Sequence, residues 1–137
     1  MLSKRKSLLV KIMATGYWSD FYVYPIVVVA LIAVATWKLQ ISIWLAILLI
    51  IAGYFVWGIT EYFAHRYLLH HVPLFKTGHK EHHARPRSPL GTPTWFTLSF
   101  YLLVAWAIAL AVGYGITAYL LAGFLIGYYV YVTCHHI

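Results

Sequence analysis

The chain has 137 residues, of which 63% are hydrophobic and only 9% are charged. Soluble domains carry roughly 25% charged residues, so this composition excludes an ordinary soluble fold and indicates one lipid-embedded domain. The net charge of +7 comes from basic residues that flank apolar runs, not from a basic stripe with interleaved aromatic residues, which argues against nucleic-acid binding.

Residues 1–20 form a basic N-terminal segment. It lacks the long apolar core and the small-residue cleavage site of a signal peptide, so we expect it to be retained on the cytosolic side of a membrane. The segment is typical either of a short interfacial amphipathic helix or of a frayed basic tail. At its end, Ser19 and Asp20 offer an N-cap to the helix that follows.

Four apolar runs follow and are grouped in two pairs. The runs are Phe21–Trp37, Ile41–Thr60, Trp95–Val112 and Ile116–Thr133. A helix of roughly 18 residues is about 27 Å long, close to the thickness of the hydrocarbon core of a bilayer. Because the links within the pairs are short, the sequence predicts an all-α integral membrane protein with transmembrane hairpins at residues 21–60 and 95–133.

The fourth run carries two glycines four residues apart, Gly123 and Gly127. This spacing of small residues allows helices to approach closely in lipid. The same spacing also arises by chance in apolar helices that contain glycine. The sequence therefore indicates a close contact without naming the partner helix.

The basic residues predict the orientation of the spans. Nine of the ten lie before the first run or between the second and third runs, and only Lys38 lies in the link between the first two. The positive-inside rule therefore places the N-terminus and residues 61–94 on the cytosolic side. Since four spans return the chain to that side, residues 134–137 are expected there too, and all eight histidines gather at one membrane face.

Histidine is concentrated in the central segment, which holds six of the eight histidines. They are His65, His70, His71, His79, His82 and His83, with His135 and His136 near the C-terminus. Imidazole suits iron, zinc, copper and nickel, whereas thiolate ligands are almost absent because Cys134 is the only cysteine. On a helix His79 and His83 share a face about 40° apart, with His82 on the same side.

The spacing of His65 and His70 does not fit a regular helix. Residues five apart are rotated by about 140° on a straight α-helix, so the two rings cannot bind one ion from it. Either the helix loosens near Leu68–His71, ahead of Pro73, or the two rings flank a pair of metal ions. Six histidines exceed what one mononuclear site requires, which favours two ions.

Two other interpretations of the histidines fit the sequence less well. Bis-histidine haem needs ligands buried on two facing helices, and none of the histidines lies mid-span, so a histidine-only metal pair is favoured. An adventitious metal-binding tract is usually a flexible low-complexity run, whereas these histidines are spaced among apolar and aromatic residues.

Glu61 lies one turn before His65, where it either orients that imidazole or is a charge at the membrane edge.

Three motifs over residues 55–137 resemble the fatty acid hydroxylase and sterol desaturase superfamily of membrane di-iron oxygenases. They are Glu61-Tyr62-x-x-His65-Arg66-x-x-x-His70, Gly78-His79-x-x-His82-His83-x-x-Pro86 and Gly127-Tyr128-x-x-Tyr131-x-x-x-His135. The resemblance implies that the metal ligands are His65, His70, His79, His82, His83 and His135. It gives no secure ligand position to His71 or His136, and a packing role to Cys134. Arg85 and Arg87 follow the second motif, where they are suited to steer an acidic head group.

The resemblance also implies an activity. It is O2-dependent hydroxylation, or desaturation, of a lipid such as a fatty acyl chain, with two iron ions that zinc can replace in purified protein. The alternatives are a non-catalytic membrane metal-binding protein or a carotenoid- or sterol-type oxidase of the same superfamily. Since the chain has no flavin or nicotinamide fingerprint, electrons would come from a separate cytochrome b5-like or ferredoxin-like donor. The superfamily continues with more histidines, so residues 134–137 are expected to begin a further box that is truncated here.

Overall fold

A computed structural model describes residues 17–39, 41–84 and 92–136. Over these ranges the chain is helical and forms no strand. A short 3₁₀ turn, Tyr17–Ser19, precedes five α-helices, and a π-helical segment, Ala64–Leu69, continues the second of them. The α-helices are α1 (Asp20–Lys38), α2 (Ile43–Phe63), α3 (Pro73–Ala84), α4 (Thr94–Val112) and α5 (Tyr114–His136).

Within the described ranges four helices are long and apolar enough to cross a membrane. They are Asp20–Lys38, Ile43–Leu69, Thr94–Val112 and Tyr114–His135. Large apolar side chains face outward, and Trp37 and Trp44 are each 77% exposed, as expected for surfaces that contact lipid. The predicted all-α membrane architecture with four spans is confirmed, and the boundaries of the predicted segments stay predictions.

The second span runs further than the apolar run predicted. The sequence pattern ends at Thr60, where Glu61 interrupts the hydropathy, but the helix continues through the π-helical segment to Leu69. Between Glu61 and Pro73 the sequence contains no glycine or proline that would end the helix. The Tyr131 hydroxyl of α5 donates a hydrogen bond to the Glu61 carboxylate. A partnered carboxylate can therefore remain inside a continuous helix.

Helix α5 is the centre of the bundle. It packs against α2, α1 and α4, and it is the most buried of the four spans. Leu125, in the middle of α5, is fully buried, and so is Tyr24 of α1. Within each predicted pair, a short link joins the two helices, as expected. The main helix contacts, however, are those that α5 makes with the other three spans, and not contacts between the two helices of the first pair.

Glycines set the distance between α2 and α5. A Cβ atom on Gly53 would overlap the backbone carbonyl of Leu120, and one on Gly123 would overlap the carbonyl of Ile50. At Gly127, a Cβ would lie 2.7 Å from Cδ1 of Trp57. The close contact indicated by the two glycines of the fourth run is therefore confirmed, and its partner is α2.

A buried carboxylate joins α1, α4 and α5 at one end of the bundle. Asp20 is 7% exposed, and its Oδ2 accepts a hydrogen bond from the Tyr128 hydroxyl at 2.6 Å. Its Oδ1 accepts from the hydroxyl of Thr94, and Tyr24 pairs with Thr97 at 2.6 Å nearby. Such a carboxylate is tolerated away from water because its oxygens are hydrogen-bonded.

The N-cap position of α1 is Ser19, as the sequence indicates, but its side chain does not cap the helix. Ser19 makes no side-chain capping bond, and its hydroxyl instead lies 2.7 Å from the Thr94 hydroxyl. Asp20 is already the first residue of the helix, and its side chain turns into the bundle. The tertiary contacts with α4 and α5 replace the local capping bond.

The polar contacts also fix which ends of the spans meet. Asp20 pairs with Tyr128, and Glu61 pairs with Tyr131, so the start of α1, the end of α2 and the end of α5 lie together. The described histidines of the π-helical segment, α3 and the end of α5 are therefore at one end of the bundle. The cytosolic location of that end stays a prediction.

We expect Gly53→Ala and Gly123→Ala to lower the free energy of unfolding by at least about 1–3 kcal/mol, because the added methyl group overpacks the α2–α5 contact. Gly58→Ala is the matched control, since a Cβ on Gly58 of the same helix meets nothing within 4 Å. The measurement is steric-trap unfolding of the purified chain in bicelles. Equal stability of the three variants would contradict the close approach of α2 and α5.

Candidate metal centre

A π-helical turn at the end of α2 brings the first two histidines together. Residues Ala64–Leu69 adopt π-helix, whose hydrogen bonds join residues five apart and not four apart. His65 and His70 therefore lie on one face, with ring centroids 5.1 Å apart. Of the two explanations for their spacing, the loosened helix is confirmed, although it begins slightly earlier than the predicted Leu68–His71.

Helix α3 supplies the second pair of histidines. Pro73 opens the helix, at the position where its missing N–H and fixed φ are tolerated. His79 and His83 share a face, as their spacing predicts, and that face meets the π-helical turn. Nε2 of His79 lies 3.3 Å from Nε2 of His70 and 2.9 Å from Nε2 of His83, and the ring centroids of His65 and His79 are 4.6 Å apart.

The four imidazoles form a group that could hold a metal ion. One ring nitrogen from each of His65, His70, His79 and His83 lies within 4.8 Å of the others. Metal–imidazole bonds of about 2.0–2.1 Å keep the ligand nitrogens of one ion at most about 4.2 Å apart, so small side-chain rotations would complete the coordination. Imidazole donors without carboxylate or thiolate fit iron, zinc, copper or nickel and not magnesium or calcium. We call these residues the four-histidine group.

Electrostatics favours the neutral, ligating form of at least one of these rings. Desolvation, and then the positive charge that His65 and His83 can carry, lowers the pKa of His70 below its ordinary value. Neutral imidazole is the form that binds metal, and protons compete with the ion for the same nitrogen. The crowding of the rings therefore disfavours protonation and favours metal binding.

Glu61 links the four-histidine group to the end of α5. Its Oε1 lies 3.7 Å from Nδ1 of His65, and its carboxylate accepts a hydrogen bond from Tyr131 and interacts electrostatically with His135. The ring of Tyr131 stacks on that of His135, with centroids 5.2 Å apart and planes 17° apart. This arrangement supports the first interpretation of Glu61, in which the carboxylate orients an imidazole.

Two other predicted histidines lie apart from the group within the described ranges. His135 is next to Tyr131 and Glu61, and it is not among the four converging nitrogens. Nδ1 of His71 lies 3.0 Å from the backbone oxygen of Arg66, which turns this ring away. The side chains of His82 and His136 lie outside the described residues, as do Arg85 and Arg87.

Tyr131 is a contributor to the site that the histidine pattern does not reveal. In the sequence, Tyr131 stands out only as part of the motif that ends at His135. Tyr131 and His135 are four positions apart, so they lie one turn apart on the same face of α5, which is the signal that could have identified Tyr131. Its hydrogen bond to Glu61 crosses between helices and depends on how α2 and α5 pack.

A four-span helical bundle with an all-histidine group at one end defines a multi-pass membrane protein with a candidate transition-metal centre. The sequence model of the fatty acid hydroxylase family matches residues 50–137, which is more than half of the chain and includes the whole four-histidine group. The chain therefore belongs to the fatty acid hydroxylase family, as its motifs predicted. Comparison with the curated proteins and with the solved structures finds no match.

We expect His79→Ala to weaken binding of one equivalent of Co2+ or Zn2+ by at least about 10-fold, because it removes a nitrogen at the centre of the group. His71→Ala is the matched control, since its ring bonds to Arg66 and lies outside the group. Titration against a chelator, followed by cobalt absorption, measures both variants. Equal affinity for the two would contradict the assignment of the group.

Metal affinity is also expected to depend on pH with a defined sign. Because the pKa of His70 is lowered from an ordinary value of about 6.5, protons compete for this ring only below that pH. Affinity is therefore expected to be retained near neutral pH and to fall as the pH drops further. A chelator titration repeated from pH 7.5 to pH 5 checks this, and an affinity that rises on acidification would contradict it.

Proposed function

We propose that this protein is an O2-dependent, non-haem iron enzyme that hydroxylates, or desaturates, the acyl chain of a membrane lipid. The observation that carries the proposal is the four-histidine group at the end of a four-span bundle, in a chain of the fatty acid hydroxylase family. Hydroxylation is preferred over desaturation because the matching family is named for it. We place the reaction at the cytosolic face, as the distribution of basic residues predicts.

The proposed cofactor is a pair of iron ions. The four-histidine group would hold one ion, and His82 and His135 would contribute to the second. Iron, when bound, supplies the redox chemistry needed to oxidise an unactivated C–H bond with dioxygen. The all-imidazole donor set supports a metal of this kind, and zinc would compete for the same nitrogens in purified protein.

The residues of the chain perform the remaining tasks. The π-helical turn and α3 hold the imidazoles on facing surfaces, so little reorganisation is needed when metal binds. Glu61 is fixed by Tyr131 and restrains His65 from its Nδ1 side, which leaves Nε2 for the metal. The spans keep water away from the acyl chain, and Arg85 and Arg87 are suited to hold an acidic head group.

A separate electron donor is part of the proposal. The chain carries no nicotinamide or flavin fingerprint, so a cytochrome b5-like or ferredoxin-like protein would deliver the electrons. The central segment next to the four-histidine group is basic, with Arg66, Lys76 and Lys80 inside the described residues. This charge is complementary to an acidic protein donor.

We expect cells that express the full-length protein under 18O2 to contain a hydroxylated lipid with one labelled oxygen, detected by mass spectrometry of lipid extracts. His83→Ala is expected to abolish this product because it removes a nitrogen of the group, whereas His71→Ala is expected to retain it. Unchanged product in His83→Ala would refute the proposal. Tight zinc binding without any labelled product would favour the non-catalytic metal-binding alternative.

A further inference from the structure

Two cavities between the described spans differ in position, and one of the two reaches the candidate metal centre. The larger has a volume of about 390 Å³ and lies between α2, α4 and α5 beside Val104; we call it the Val104 groove. The smaller has a volume of about 240 Å³ and lies between α2 and α5 beside Gly58; we call it the Gly58 cleft. Glu61, which contacts His65, lines the Gly58 cleft and is not among the residues that line the Val104 groove.

The Val104 groove has apolar chemistry throughout. Its two threonines, Thr60 and Thr117, use their hydroxyls within their own helices, where each donates to the carbonyl four residues earlier at 2.8 and 2.9 Å. None of the described histidine side chains lines the groove. It is therefore a site for lipid tails or helix packing without direct access to the four-histidine group.

Gly58 contributes open space to the Gly58 cleft. A Cβ on Gly58 would meet nothing within 4 Å, in contrast to Gly53, Gly123 and Gly127, which are needed for helix contact. Close helix packing therefore does not require glycine at position 58. Glycine inside a helix is nevertheless less favourable than alanine by about 1 kcal/mol. What the glycine does provide is open space one turn before Glu61.

The two ends of the Gly58 cleft differ in chemistry. At the lipid-facing side, Tyr54 and Val130 are 42% and 39% exposed, so the cleft opens toward the membrane. At the other end are Glu61 and Tyr131, and Oε1 of Glu61 lies 3.7 Å from Nδ1 of His65. The cleft therefore leads from the hydrocarbon region to the edge of the four-histidine group.

We propose that the Gly58 cleft binds the hydrocarbon chain of the lipid substrate and that the size of residue 58 determines which chains are accepted. The occupant is the acyl chain of the proposed substrate, because the cleft is lined mainly by apolar and aromatic side chains, opens toward the membrane and ends at Glu61 beside His65. This inference rests on the proposed function, and it adds to that function the place where the acyl chain lies and the residue that limits its size.

Photo-crosslinking tests the cleft without turnover. The purified chain in lipid nanodiscs is irradiated with a long-chain fatty acid that carries a diazirine along the chain, and the adducts are mapped by mass spectrometry. We expect adducts on the residues of the Gly58 cleft, including Val130 and Cys134. Gly58→Leu fills the cleft and is expected to reduce the yield of these adducts about tenfold. This is the loss of affinity expected when about two methylene groups of the fatty acid are no longer buried in the cleft.

Val104→Phe is the matched control, because it narrows the other cavity and is expected to leave the cleft adducts unchanged. Cys134, the only cysteine, is exposed in the cleft and gives a second measurement: the fatty acid is expected to slow its alkylation by a maleimide in the wild type and not in Gly58→Leu. Retained Co2+ affinity shows that Gly58→Leu is folded.

Adducts confined to the Val104 groove, spread evenly over the lipid-facing surface, or unchanged in Gly58→Leu would overturn the proposal. A sterol-based diazirine that labels the cleft as well as the fatty acid does would overturn the choice of an acyl chain as the occupant. Because these readouts need no product, they are separate from the proposed function, which fails if the full-length protein forms no labelled lipid.

Discussion

The π-helical turn at Ala64–Leu69 is the constraint on which the candidate metal centre depends. Because His65 and His70 are five residues apart, a regular α-helix would place them about 140° apart around its axis. The wider π-helical turn places both rings on one face of the helix. Once they share a face, the four-residue spacing of His79 and His83 on α3 provides a matching pair. Two different helical geometries thus bring four rings to one point, and a regular α-helix through residue 69 would divide them.

The membrane bundle explains how this turn is held in place. Helix α5 contacts each of the other spans, and the glycines at positions 53 and 123 let α2 approach its backbone. At the same end, Asp20 joins α1 to Tyr128, and Glu61 joins α2 to Tyr131. Both carboxylates thus bond to tyrosines one turn apart on α5, so the frame and the four-histidine group meet through one face of that helix.

The sequence predicted those features that depend on local pattern. Hydropathy was sufficient for the four spans, because apolar length is a local property, and spacing was sufficient to pair His79 with His83. The angular mismatch of His65 and His70 indicated either an irregular helix or a pair of metal ions, and the number of histidines favoured the pair. The family match over residues 50–137 agrees with the motifs that first suggested it.

The remaining features depend on tertiary contacts that no local pattern contains. Asp20 resembles a helix cap in sequence, yet its partners, Thr94 and Tyr128, are 74 and 108 residues away. The central position of α5 does not follow from composition, since all four spans are similarly apolar. The role of Tyr131 depends on Glu61 across a helix interface. The Gly58 cleft depends on the open space beside Gly58, and this space can be recognised only from the packed positions of the helices.

The central claim is that imidazoles from the π-helical turn and from α3 share one metal ion. X-ray absorption at the zinc edge, on protein loaded with one equivalent of zinc, measures the ligand set directly. The structure predicts nitrogen ligands at about 2.0–2.1 Å with the multiple scattering of four imidazoles, falling to three in His70→Ala. Two or fewer imidazoles in the wild type, or a spectrum unchanged in His70→Ala, would contradict it.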